Sequence, residues 1–189
     1  MKKFSPLFIS TFLLLGGCST AMLATTSTTN TLNQQGRSFS TTVSDQSITY
    51  KAMKAIQKDP ELAKSSRVAI VTFEHNVLIV GEAPTEAYKQ KIESIVKSVP
   101  NVRHIYNDVT IGTPLNSYEQ GSDGVITANI KSRMFTTTNL RGRNIKVITE
   151  NGTVYLMGNV SEEEGRIAAE VARNSSGVKK VVKLFEYTA

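Results

Sequence analysis

Apolar residues fall in two matching runs along this chain. Val68-Ala69-Ile70-Val71-Thr72-Phe73 alternates as a half-buried strand does, Glu74-His75-Asn76 turns, and Val77-Leu78-Ile79-Val80-Gly81 runs back. Ile145-Lys146-Val147-Ile148-Thr149 leads in the same way to Glu150-Asn151-Gly152 and then Val154-Tyr155-Leu156-Met157-Gly158. Asn-Gly between two apolar runs is a strong hairpin signal. A helix start follows each hairpin, at Pro84-Thr85-Glu86 and at Ser161, where Glu164 three residues on completes a capping box. Ile92, Ile95, Val96 and Val99 form a helical apolar face, and Ile167, Val171 and Ala172 form a thinner one. Each copy closes with a last strand, Val102 to Ile111 and Val178 to Tyr187, and each hairpin is preceded by a helical segment, Asp45 to Lys58 and Asp123 to Phe135.

One unit is therefore helix–strand–strand–helix–strand, and the chain contains two. The fold class is α+β, with a three-stranded mixed sheet and two helices in each small domain. The expected divisions are 44–112 and 122–189, joined by a turn-rich linker at 113–121. At about 65 residues each unit is marginal alone, so the two are expected to pack against each other.

On a helical wheel, Ile48, Ala52 and Ile56 make the core stripe of the first unit's leading helix, and Ser47, Tyr50, Lys54 and Gln57 its polar back. In the second unit Ile126, Ile130 and Met134 make the core stripe. Its back is different: Val125, Ala128, Ser132 and Phe135 fall within about 80° of arc, with Lys131 beside them and Arg133 nearer the core side. An apolar back can be explained by packing against the first domain or by contact with a membrane.

The amino terminus changes the picture. Lys2 and Lys3, the apolar Leu7 to Leu15, and then Gly16-Gly17-Cys18 read as a secretory signal over 1–17, too short to span a bilayer. Leu15-Gly16-Gly17-Cys18 resembles the bacterial lipobox, which implies that Cys18 carries acyl chains; two or more chains anchor stably. Ser19, rather than Asp, follows Cys18, so the expected address is the periplasmic face of the outer membrane. The tract 18–43, rich in Thr, Ser, Asn and Gln, reads as a flexible tether.

The formal charge of +6 falls by two when the signal lysines leave. What remains is mildly basic, without the dense clustering of a nucleic-acid binder. An anionic lipid surface suits both sign and address. Catalysis lacks parts: His75 and His104 show no metal spacing, Cys18 is consumed by lipid, and no serine sits in a nucleophile elbow. Glu162-Glu163-Glu164 reads as a helix's acidic first turn. No metal or cofactor is expected.

Both units resemble the BON domain, most specifically at Asn151-Gly152, Val154, Leu156, Gly158, Ala168, Ala169, Gly177-Val178 and Val181. The first unit departs, with His75-Asn76 in place of Asn-Gly and Pro100-Asn101 in place of the Gly before Val102. Two such domains behind a lipobox resemble lipid-binding lipoproteins of the Gram-negative outer membrane. That resemblance implies a non-enzymatic protein that supports outer-membrane integrity at division sites. It implies binding of anionic phospholipid, phosphatidylglycerol or cardiolipin, through Val125, Ile126, Asn129, Ile130, Lys131, Ser132, Arg133, Phe135 and Thr136. A member of the family carries an interfacial tryptophan where this chain has Val125, and this chain has no Trp, so Phe135 is expected to bear more of the insertion. Two other readings stand beside this one: an envelope adaptor whose protein partners dock on the first domain, and a haemolysin-like activity, which would need a long amphipathic or pore-forming element.

Overall fold

Both repeats build the same unit in the computed structural model, which describes residues 38–112 and 117–188. In the first, helix α1 (Phe39–Gln57) and a short α2 (Pro60–Ser65) precede strands β1 (Arg67–Phe73) and β2 (Asn76–Ala83), helix α3 (Glu86–Lys97) and strand β3 (His104–Ile111). In the second, α4 (Ser117–Thr136), a 3-10 turn at Gly142–Asn144, β4 (Ile145–Glu150), β5 (Thr153–Val160), α5 (Glu162–Arg173) and β6 (Lys180–Tyr187) follow in the same order. Each sheet is mixed: its hairpin strands pair antiparallel, and its last strand lies parallel to the second.

Two boundaries and one element differ from expectation. The tract expected to be a tether as far as residue 43 is helical from Phe39, where Ser38 caps α1 by accepting the Thr41 amide at 3.1 Å. The expected linker is helical from Ser117, because α4 starts six residues before Asp123. Helix α2 was unforeseen; Asp59 accepts the Glu61 and Leu62 amides at 3.1 Å, Pro60 fills the first helical position, and Leu62 is fully buried. The signal peptide, Cys18 and the tether before Ser38 lie outside the described residues.

The alternation within each strand separates three cores. Ile70, Val77, Ile79 and Val109 meet Ile48, Ala52, Ile56, Ile92 and Val96 beneath α1 and α3. Val147, Val154 and Leu156 meet Ile126, Ile130, Met134, Ala168 and Ala172 beneath α4 and α5. The opposite sheet faces meet each other, Phe73, Leu78 and Val80 against Tyr155 and Met157. The layers are therefore helices, sheet, sheet, helices, within one compact unit. This is why β2 is buried along its whole length rather than on one face: the second domain covers the side that water would otherwise wet.

Polar clasps join the two sheets. Arg67 donates to Glu82 of its own domain and to Glu150 of the other. Arg103 and Asn76 both donate to Glu186. The Tyr155 hydroxyl donates to Asp108 at 2.6 Å, and burial with that carboxylate beside it pushes the phenol's pKa well up.

Candidate lipid-facing helix

Helix α4 is aimed by its first described turns. Both oxygens of the buried Asp123 carboxylate accept hairpin amides, from Asn151 at 2.6 Å and Gly152 at 2.8 Å, and Thr127 donates to Thr149 at 2.7 Å. The first domain repeats the device: Asp45 accepts the Glu74 and His75 amides at 2.8 and 2.9 Å, and Thr49 pairs with Thr72. Aspartate and threonine one helical turn apart thus lock each leading helix to its hairpin, which fixes the face it shows to the core.

Locked this way, α4 buries Ile126, Ile130 and Met134 and turns Val125 and Phe135 outward, 71% and 74% exposed. Ala128, Asn129, Lys131, Ser132 and Thr136 share that exposed side. The sheet-to-sheet seam lies on the far side of the second sheet, so the apolar back does not pack against the first domain. Of the two explanations open in the sequence, domain packing is removed.

Three of the expected contact residues leave the set. Ile126 and Ile130 are core residues, 8% and 0% exposed, because their stripe faces the sheet. Arg133 reaches sideways to the carboxyl end of α5, donating to the carbonyls of Val171 at 3.2 Å and Asn174 at 2.6 Å and to the Ser175 hydroxyl at 2.7 Å. It satisfies carbonyls that a helix end leaves unpaired, so its charge serves the fold. Nearby, Arg141 pairs through two nitrogens with Glu164, at 2.8 and 3.0 Å, and that bond holds the Glu164 carboxyl down at about 2. Lys131 and Arg143 are exposed.

The first domain's helix is less polar outside than its sequence from Asp45 implies. Extension to Phe39 adds that side chain, 84% exposed, and Val43, 47% exposed, to the same strip as Tyr50, 64% exposed. The Lys54 ammonium stands 5.6 Å from the Tyr50 ring centre. A window opened at Ser38, with its Ser-x-x-Thr cap, would have revealed this strip.

Of the histidines, His75 meets the Ser44 hydroxyl through Nε2 at 3.0 Å, and His104 sets its ring edge-on to Tyr106. Among the described residues no group of three His, Cys, Asp or Glu side chains is arranged to hold a metal ion, and no helix is long and apolar enough to cross a membrane.

The BON domain family model matches residues 44–113 and 122–189. The chain is 31% identical over 187 residues to the outer membrane lipoprotein DolP of Haemophilus influenzae, covering 99% of this chain and 96% of that one. It is 34% identical over 151 residues to the 21 kDa hemolysin of Actinobacillus pleuropneumoniae, covering 80% and 78%. Osmotically-inducible protein Y of Escherichia coli is 26% identical over 140 residues, covering 72% and 69%.

Proposed function

We propose, from the premise that this chain belongs to the BON-domain family and is an outer membrane lipoprotein, that its second domain binds anionic phospholipid through the outer face of α4. The protein works without catalysis, on the periplasmic face, and supports membrane integrity at sites of division. The observation that carries the reading is the exposure of Val125 and Phe135 on a helix flank turned away from the first domain. Ten residues at 1.5 Å each set the two side chains about 15 Å apart along the axis, which lets the helix lie flat in the headgroup region.

Burial of those two side chains supplies roughly 3–5 kcal/mol before orientation costs. Lys131 and Arg143 each add about 1 kcal/mol near an anionic leaflet. The net affinity is weak, and an acyl anchor at Cys18 offsets this by holding the domain at an effective concentration on the order of millimolar. In the mature chain made without acyl groups (Cys18→Ser), Phe135→Glu is expected to abolish co-sedimentation with phosphatidylglycerol vesicles while leaving Tm unchanged. Undiminished binding at low salt rejects the assignment. Lys131→Glu is the companion charge variant, since Arg133→Glu would break the α5 cap instead.

The exposed Phe39, Val43 and Tyr50 support a second reading, an envelope adaptor whose partner sits on the first domain. Failure of the Cys18→Ser chain to bind anionic vesicles, together with capture of an envelope protein that is lost on changing α1, would favour it. The name of the Actinobacillus relative raises membrane damage as a third; dye-loaded liposomes are expected to stay sealed in the presence of this protein.

A further inference from the structure

A cleft of about 410 Å³ opens at the base of α4, between Val125 and Asn129 on the helix, the Asn151-Gly152 turn, and the Ser176 to Lys179 segment. Its cation is built in. The Lys179 amide donates to the Gly152 carbonyl at 2.8 Å. The lysine stem lies across Gly152, where an added Cβ would come within 2.9 Å of its methylenes. The ammonium rests 3.1 Å from the Asn151 side-chain oxygen, which uses one of its three donors.

The first domain has the same backbone here and different chemistry. The Arg103 amide donates to the His75 carbonyl at 2.9 Å, so Arg103 stands where Lys179 does. Its guanidinium is taken by Glu186 and Asn76 in the seam between domains. Glu74 replaces Asn151, placing a negative charge at the mouth, and counting from the paired Asp45 and Asp123 sets Lys51 and Ser47 at the places of Asn129 and Val125.

We infer that the second domain's cleft is a headgroup subsite for the glycerol phosphate moiety of an anionic phospholipid. Lys179, the Ser176 hydroxyl and the Asn129 amide supply donors for the phosphodiester. The Asn129 and Asn151 side-chain oxygens accept from the glycerol hydroxyls. Asp123 does not oppose the phosphate at full strength, because each of its oxygens already accepts a backbone amide. The inference rests on α4 as the lipid-facing helix, since Val125 is both the rim of the cleft and the first apolar residue of that face. The cleft's volume falls in the range of small-molecule sites.

The test titrates the mature Cys18→Ser chain with glycerophosphoglycerol, glycerophosphocholine and inorganic phosphate, read by amide NMR. Glycerophosphoglycerol alone is expected to shift the Asn151, Gly152, Gly177 and Lys179 amides. Lys179→Gln is expected to weaken that response, and vesicle binding, roughly tenfold, the loss of one charge-assisted contact. Phe135→Glu is expected to lose vesicles yet keep the soluble headgroup. Absence of headgroup shifts, an equal response to inorganic phosphate or to the choline compound, or vesicle binding indifferent to Lys179→Gln overturns the subsite. Vesicle binding that survives Phe135→Glu overturns the α4 reading instead, so the two failures are distinguishable.

Discussion

Glu164 shows how much one side chain carries. It closes the capping box of α5 by accepting the Ser161 amide at 3.1 Å and receives both nitrogens of Arg141. It sits nearly buried, while Arg141 is half exposed, so water screens the pair and keeps its contribution modest. Its folded pKa, about 2, lies below the ordinary 4.5. A depressed carboxyl stabilises the folded state fully above the ordinary value, and that stabilisation is lost as pH falls from 4.5 toward 2. Glu164→Gln is therefore expected to unfold more easily than the native chain at pH 7, with the difference shrinking as pH falls below 4.5 and vanishing only below the folded value of about 2, in parallel denaturant titrations. Arg133 and Arg141 could not be told from lipid-facing cations by sequence, since a wheel places a side chain's root but not the reach of a guanidinium.

The hairpins teach a related lesson. Both are two-residue turns, because Phe73 pairs with Asn76 and Glu150 with Thr153. The residues at the place of Asn151-Gly152 are thus Glu74-His75, and Asn76 is a buried strand residue. Glu74 and His75 hold φ of 48° and 66°, a left-handed pair that non-glycine residues adopt at a cost, and the Asp45 carboxylate holds them there. Replacing them together by Asn-Gly is expected to raise stability by about 1 kcal/mol, measured as a shift of the urea midpoint at constant slope. Asn101, at φ 68°, fills the equivalent of Gly177. Strand order, helix caps and core stripes were legible in the sequence because each obeys a local period. The start of α1, the whole of α2 and the partners of the arginines were not, since a polar run can cap a helix and an Asp-Pro step can open one without apolar periodicity. Helix α5 was legible only in part: Gly165, Ala168, Ala169 and Ala172 carry its packing, and small side chains hardly register as an apolar stripe.

The seam between the sheets makes one body of two marginal domains. Leu78, Val80, Tyr155 and Met157 are at most 4% exposed within it. Met157→Asp would bury an uncompensated carboxylate there. The native chain is expected to unfold in one calorimetric transition, and Met157→Asp to lower its midpoint and split it into two. A single peak at the native midpoint would show that the seam stabilises nothing. The continuous apolar runs Val77–Val80 and Val154–Met157 already signal burial on both faces.

Stacking those sheets back to back gives the protein a front and a reverse. With layers about 10 Å apart, the axes of the two leading helices are separated by roughly 30 Å of packed chain. A flat bilayer meets only one of these broad sides. Were Phe135 to rest among headgroups, as proposed, Phe39 and Tyr50 would look into open water, and lipid and a soluble visitor would not compete for the same ground.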